Sequence, residues 1–160
     1  MNKEPASILV ADDDENDLRM IEMALGQIDQ RPTVHYVHDG GEAIDFLFGR
    51  GRFAQQRIES PLFMLLDLHM PRVDGWEVLR QVKADERLKC IPVIIFSSSA
   101  REVDVRHCYE LGANAYVVKP IDFEQFQRTI AAIGTFWSGC NHSVRPGRDS
   151  LSHTHHPHPL

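Results

Sequence analysis

Apolar residues in this chain follow two alternating patterns. Short solid runs end abruptly in polar residues, and each is followed by a stretch whose apolar positions recur every three or four residues. The first pattern is that of a strand buried on both faces, the second that of a helix burying one stripe. Ser7–Ala11 runs into Asp12-Asp13-Asp14-Glu15 and predicts a first strand. Leu18, Ile21, Leu25 and Ile28 then predict a helix from Asp17 onward. Thr33–Val37 is β-branched and aromatic and predicts a second strand, and the turn Asp39-Gly40-Gly41 leads to a helix over 42–48. A polar, basic connection reaches to Ser60, longer than is usual between elements.

The longest solid run is Leu62-Phe63-Met64-Leu65-Leu66, which ends in Asp67 and predicts a central third strand. Trp76, Leu79 and Val82 mark the next helix. Residues 91–97 predict a fourth strand, with Pro92 tolerable near its start, and 101–111 a helix stopped by Gly112. Residues 115–120 predict a fifth strand. Asp122 caps a last helix with the stripe Phe123, Phe126, Ile130, Ile133 and Trp137.

Five strand–helix alternations predict an α/β fold. The expected architecture is a doubly wound parallel sheet in the order 2-1-3-4-5 with helices on both faces, flavodoxin-like. The domain is expected over residues 6–137. Residues 138–160 are rich in Gly, Pro, Ser and His without apolar period, and read as a disordered tail.

In that strand order, strands 1, 3, 4 and 5 are neighbours, and all four end in chemistry: Asp12 and Asp13, Asp67, Ser97, and Lys119. Neighbouring strands lie about 4.8 Å apart, so these groups should converge at one sheet edge, where open α/β sheets place their sites. Two carboxylates ~4 Å apart repel by about 4 kcal/mol at an effective dielectric near 20. Three together call for a proton or a cation, and a small set of hard oxygens suits Mg²⁺. An aspartate can also accept a phosphoryl group, which a nearby cation, lysine and hydroxyl would neutralise and position.

Composition narrows the choices. The formal net charge of -6 argues against a nucleic-acid backbone or an anionic membrane as partner. No apolar run approaches the ~20 residues of a membrane span, and the first residues lack a signal-peptide core. Three cysteines, Cys90, Cys108 and Cys140, without metal-ligand spacing suggest reduced thiols in the cytoplasm. Cys108 reads as a small buried hydrophobe.

These residues resemble the receiver domain of two-component response regulators. The resemblance is carried by Val10-Ala11-Asp12-Asp13-Asp14, Leu65-Leu66-Asp67-Leu68-His69-Met70-Pro71, Phe96-Ser97-Ser98-Ser99 and Tyr116-Val117-Val118-Lys119-Pro120. It implies phosphorylation of Asp67 by a sensor histidine kinase in a Mg²⁺-dependent reaction. It also implies Asp13, Asp67 and the backbone carbonyl of His69 as direct metal ligands, with Asp12 acting through bound water. Lys119 and Ser97 would hold the phosphoryl oxygens, Tyr116 would be an aromatic switch, and the Lys119–Pro120 bond is a cis candidate. Output would be a contact with a downstream protein, with no further output domain expected. The face of helix 4, strand 5 and helix 5 is the candidate surface, for that target or for a homodimer. The segment 41–51 resembles single-domain regulators that partner phytochrome kinases.

Each feature alone has a plainer reading. Asp12 to Asp17 could stabilise a helix N-terminus, Ser97 could be a turn residue, Lys119 a solvated charge, and Tyr116 a half-buried core aromatic. The convergence of all of them favours the site. A Mg²⁺-dependent aspartyl-phosphate phosphatase is the rival, but it would want an acid two residues after the nucleophile, where His69 stands. A flavin module would want a Ser/Thr/Gly loop after strand 1, where the chain is acidic. The histidines of 153–158 invite a metal reading, but the interspersed prolines break any fixed ligand geometry.

Overall fold

The computed structural model describes residues 7–29, 32–56 and 59–144. Strands β1 (Ser7–Ala11), β2 (Thr33–Val37), β3 (Met64–Leu66), β4 (Val93–Ser97) and β5 (Ala115–Val118) form one sheet. All pairings are parallel, in the order β2-β1-β3-β4-β5. Helices α1 (Glu15–Leu25), α2 (Gly40–Phe48), α3 (Gly75–Ala84), α4 (Glu102–Glu110) and α5 (Phe123–Thr135) alternate with the strands. The expected fold class and strand order are both observed.

The solid apolar runs have a direct cause. Successive strand residues point to opposite faces, and both faces are covered. Leu9, Met64, Leu66, Val93 and Ile95 pack into one cluster with Ala43, Leu47, Leu79, Val82 and Cys108 from α2, α3 and α4. Ile8, Val10, Leu65, Ile94 and Phe96 pack into the other with Ile21, Leu25, Phe126 and Ile130 from α1 and α5. Each such side chain removed from water contributes roughly 1.5–3 kcal/mol before conformational entropy is counted.

Local chemistry sets the helix starts. Asp14 caps α1 by accepting from the backbone N–H groups of Asn16 and Asp17, and Asp39, Asp74 and Asp122 cap α2, α3 and α5 in the same way.

Two details differ from the sequence reading. Phe123 is 52% exposed and leaves the α5 stripe at the first position of that helix. The chain stays helical past Trp137, through a wide final turn, Phe136–Cys140, closed by Asn141 N–H on the Phe136 carbonyl at 2.8 Å. Gly139 does not break that turn. Residues 145–160, including the histidines of 153–158, lie outside the described residues. Among the described residues no helix is long and apolar enough to cross a membrane.

Candidate functional site

The ladder that builds the sheet also fixes the site. Ala11 pairs with Leu66, Leu66 with Ile95, and Ser97 with Val118. The residues one step beyond are held by backbone bonds of the same kind: Asp12 N–H to Val37 O at 3.1 Å, Asp67 N–H to Ala11 O at 2.9 Å, and Lys119 N–H to Ser97 O at 2.8 Å. Asp12, Asp67, Ser97 and Lys119 therefore stand at one edge of the sheet, as expected. Among the described residues, the buried polar or charged residues are Asp12 at 1% exposure, Asp67 at 7% and Ser97 at 0%. A fold buries such groups only where they are paired or used.

Lys119 is the centre of the charge pattern. Its Nζ lies 2.8 Å from Asp12 Oδ2, 2.7 Å from Asp17 Oδ2 and 3.4 Å from Asp67 Oδ2. Asp12 Oδ1 accepts from Asp14 N–H at 2.9 Å, and Asp67 Oδ1 from Leu68 N–H at 2.8 Å. Asp13 is exposed and completes a group with Asp12 and Asp67, whose carboxylate oxygens lie within 4.8 Å of one another. Burial pushes the Asp12 carboxyl up to about 7, against the pull of Lys119, and the charge of Asp67 adds to the rise. Burial likewise raises Asp67, with Lys119 opposing. Lys119 is pulled down by burial but ends above the ordinary lysine value, because Asp12 and Asp67 hold it charged. One ammonium among these carboxylates leaves the pocket short of positive charge.

The hydroxyl side of the site leads away from the acidic cluster. Ser97 Oγ accepts from Ser99 N–H at 3.2 Å, and Ser99 Oγ donates to Asp104 on α4 at 2.6 Å. The Tyr116 hydroxyl donates to the Ser99 carbonyl at 2.7 Å. The serine loop thus joins the end of β4 to α4 and to the tyrosine of β5.

Comparison with known proteins agrees with this geometry. Residues 8–131 match the family described as response regulator receiver domain. The chain belongs to this family. It is 35% identical over 147 residues to the probable methanogenesis regulatory protein FilR2 of Methanothrix harundinacea, covering 90% of this chain and 91% of FilR2. The crystal structure of the phosphorylated cyanobacterial phytochrome response regulator RcpA is 34% identical and superposes with a TM-score of 0.83, covering 88% of this chain and 99% of RcpA. The Mn²⁺-bound form of response regulator Rcp1 superposes with a TM-score of 0.82 at 31% identity, covering 88% of this chain and 99% of that one. Rcp1 comes from a Synechocystis species.

Within this receiver, two expectations change. The Lys119–Pro120 bond is trans, as are all the described peptide bonds, in keeping with the trans preference of about 0.5–1 kcal/mol before proline. Asp17, read from sequence only as a helix-start acid, reaches Lys119. The available signal was its place in the first turn of α1, directly before Leu18, the first buried residue of that helix. Asp14 alone does the capping, so the acidic run divides between helix and pocket. His69 is exposed, and its ring packs edge-on against Trp76 with centroids 5.3 Å apart.

Gly75 shows how tightly α3 is seated against Asp67 and Leu68. Its N–H donates to the Leu68 carbonyl at 2.8 Å. A Cβ there would overlap the Asp67 carbonyl oxygen and stand 2.7 Å from Leu68 Cα. Gly75→Ala is expected to destabilise the receiver by about 1–3 kcal/mol, since backbone must move to admit the methyl group. A melting temperature lowered by several degrees would agree, and an unchanged one would mean that the loop after β3 yields freely.

Proposed function

We propose that this receiver accepts a phosphoryl group on Asp67 from a phosphohistidine of a sensor kinase and signals by protein contact. The observation that carries the reading is the burial of Asp12, Asp67 and Ser97 around Lys119 at one sheet edge. An Asp67 carboxylate oxygen attacks phosphorus, the P–N bond breaks, and the electron pair and a proton remain with the imidazole. Lys119 balances charge on the phosphoryl oxygens, and Ser97 donates a hydrogen bond to one of them.

The oxygens of Asp12, Asp13 and Asp67 suit a small oxygen-seeking dication. Asp13, Asp67 and the His69 carbonyl would hold Mg²⁺ directly and Asp12 through water. When bound, Mg²⁺ supplies positive charge against the phosphoryl oxygens. A phosphatase reading lacks the second acid it needs, since His69 occupies that position and rests on Trp76.

RcpA is described as a phytochrome response regulator, and its likeness to this chain supports a phytochrome-type kinase as donor. The output surface would be α4, β5 and α5, where Val103, Val118 and Ile121 are exposed for a downstream protein or a second copy. The route to it is the serine loop: a hydroxyl drawn to Asp67 by new acceptor oxygens pulls on Ser99, which holds both Asp104 and Tyr116.

Amide NMR with Mg²⁺ and beryllium fluoride, a phosphoryl mimic, tests the switch. Wild type should shift through residues 97–104 and 116–119. In Ser97→Ala the mimic should still bind while the shifts around Asp104 and Tyr116 shrink. Equal shifts in both proteins would break the proposed coupling.

A further inference from the structure

The shortest contact of the site lysine is with a residue that the phosphoryl chemistry does not use. Lys119 Nζ carries three N–H donors. Asp17 at 2.7 Å and Asp12 at 2.8 Å both lie in the range of charge-assisted hydrogen bonds, while Asp67 at 3.4 Å lies outside it. Asp17 is absent from the carboxylate group suited to a metal. It projects from the first turn of α1, where its N–H is tied to the Asp14 carboxylate at 3.0 Å. The backbone of Lys119 is tied in turn to Ser97 at 2.8 Å. Both backbones are anchored, so the flexible lysine side chain is the part free to move.

The two partners of the ammonium are not equally easy to leave. Asp12 has 1% of its side chain exposed, and losing Lys119 would strand a buried charge. Asp17 has 19% exposed and can take water in place of the ammonium. We propose that Asp17 is a positioning residue that holds Lys119 back from the acceptor, so that a phosphoryl group on Asp67 must draw Lys119 off Asp17. The inference rests on Asp67 being the acceptor. Its consequence is that Asp17 weakens the hold on the phosphoryl group and so helps to set how long the signal lasts.

The test is titration of Mg²⁺-saturated protein with beryllium fluoride, read by tryptophan fluorescence or amide NMR. Asp17→Asn should bind the mimic roughly three- to tenfold more tightly, the range expected when a partly exposed ion pair no longer competes. Glu15→Gln removes the same charge from the same helical turn, but Glu15 faces His38 at 3.2 Å and not Lys119. It should change binding less than twofold, on the order of a screened surface charge. In a Lys119→Met background the gain from Asp17→Asn should vanish, since the coupling runs through the ammonium.

Unchanged or weaker binding by Asp17→Asn would overturn the proposal. So would an equal gain from Glu15→Gln, which would reduce the effect to net charge. Absence of binding by the wild type would instead remove Asp67 as acceptor, and this inference with it.

Discussion

Asp67→Asn is expected to end phosphoryl acceptance while leaving the receiver folded. The amide matches the carboxylate in shape, and its oxygen can still accept the Leu68 N–H that now reaches Asp67 Oδ1 at 2.8 Å. It has no anionic oxygen to attack phosphorus, and no neighbour can replace it. Asp12 is held between Lys119 and the Asp14 N–H, and Asp13 is exposed at the rim. The labelling rate with a small phosphodonor should fall on the order of 10³-fold or more, as loss of a nucleophile does elsewhere. Without metal the variant should also melt higher than wild type at neutral pH, because one of the crowded buried charges is gone. That second result separates loss of chemistry from loss of fold. A variant labelled at the wild-type rate would take the role from Asp67.

Stability of the metal-free receiver is expected to fall as pH rises from about 4 to about 7, and Mg²⁺ is expected to reverse most of that fall. Burial raises the Asp12 carboxyl from an ordinary 3.8 to about 7 and raises Asp67 in the same direction. Between those pH values the folded chain binds more protons than the unfolded chain, so stability declines with rising pH. The contribution is fully present below the unfolded value and is lost as pH passes the folded one. Its size is on the order of 2–4 kcal/mol, or a melting temperature lower by roughly 5–10 °C. A dication satisfies the same oxygens without a proton, so stabilisation by Mg²⁺ should be small near pH 5 and large near pH 7.5. Melting curves with chelator and with excess Mg²⁺ across that range provide the check. A metal effect independent of pH would mean that the cation binds elsewhere.

The sequence carried the architecture because burial on both faces leaves little choice of residue. Met64, Leu65 and Leu66 are all buried, and a run of that kind suits a central parallel strand. The site was legible for a related reason. The runs of β1, β3, β4 and β5 stop at one sheet edge, so the first polar residue of each falls into the site. The contact of Asp17 with Lys119 was not legible, since 102 residues separate them and only the folded arrangement, with α1 packed beside α5, brings them together. The exposure of Phe123 was hidden too, because helical spacing gives the direction of a side chain without showing what packs against it.

The central claim is that Asp67 accepts one phosphoryl group, and mapping that group tests it most directly. The full chain would be incubated with Mg²⁺ and acetyl phosphate, and its intact mass and fragment masses measured. One added phosphoryl group should appear, confined to the fragment that contains Asp67, and chelation of the metal should prevent it. An unmodified mass under those conditions, or a phosphoryl group on any other residue, would contradict the account.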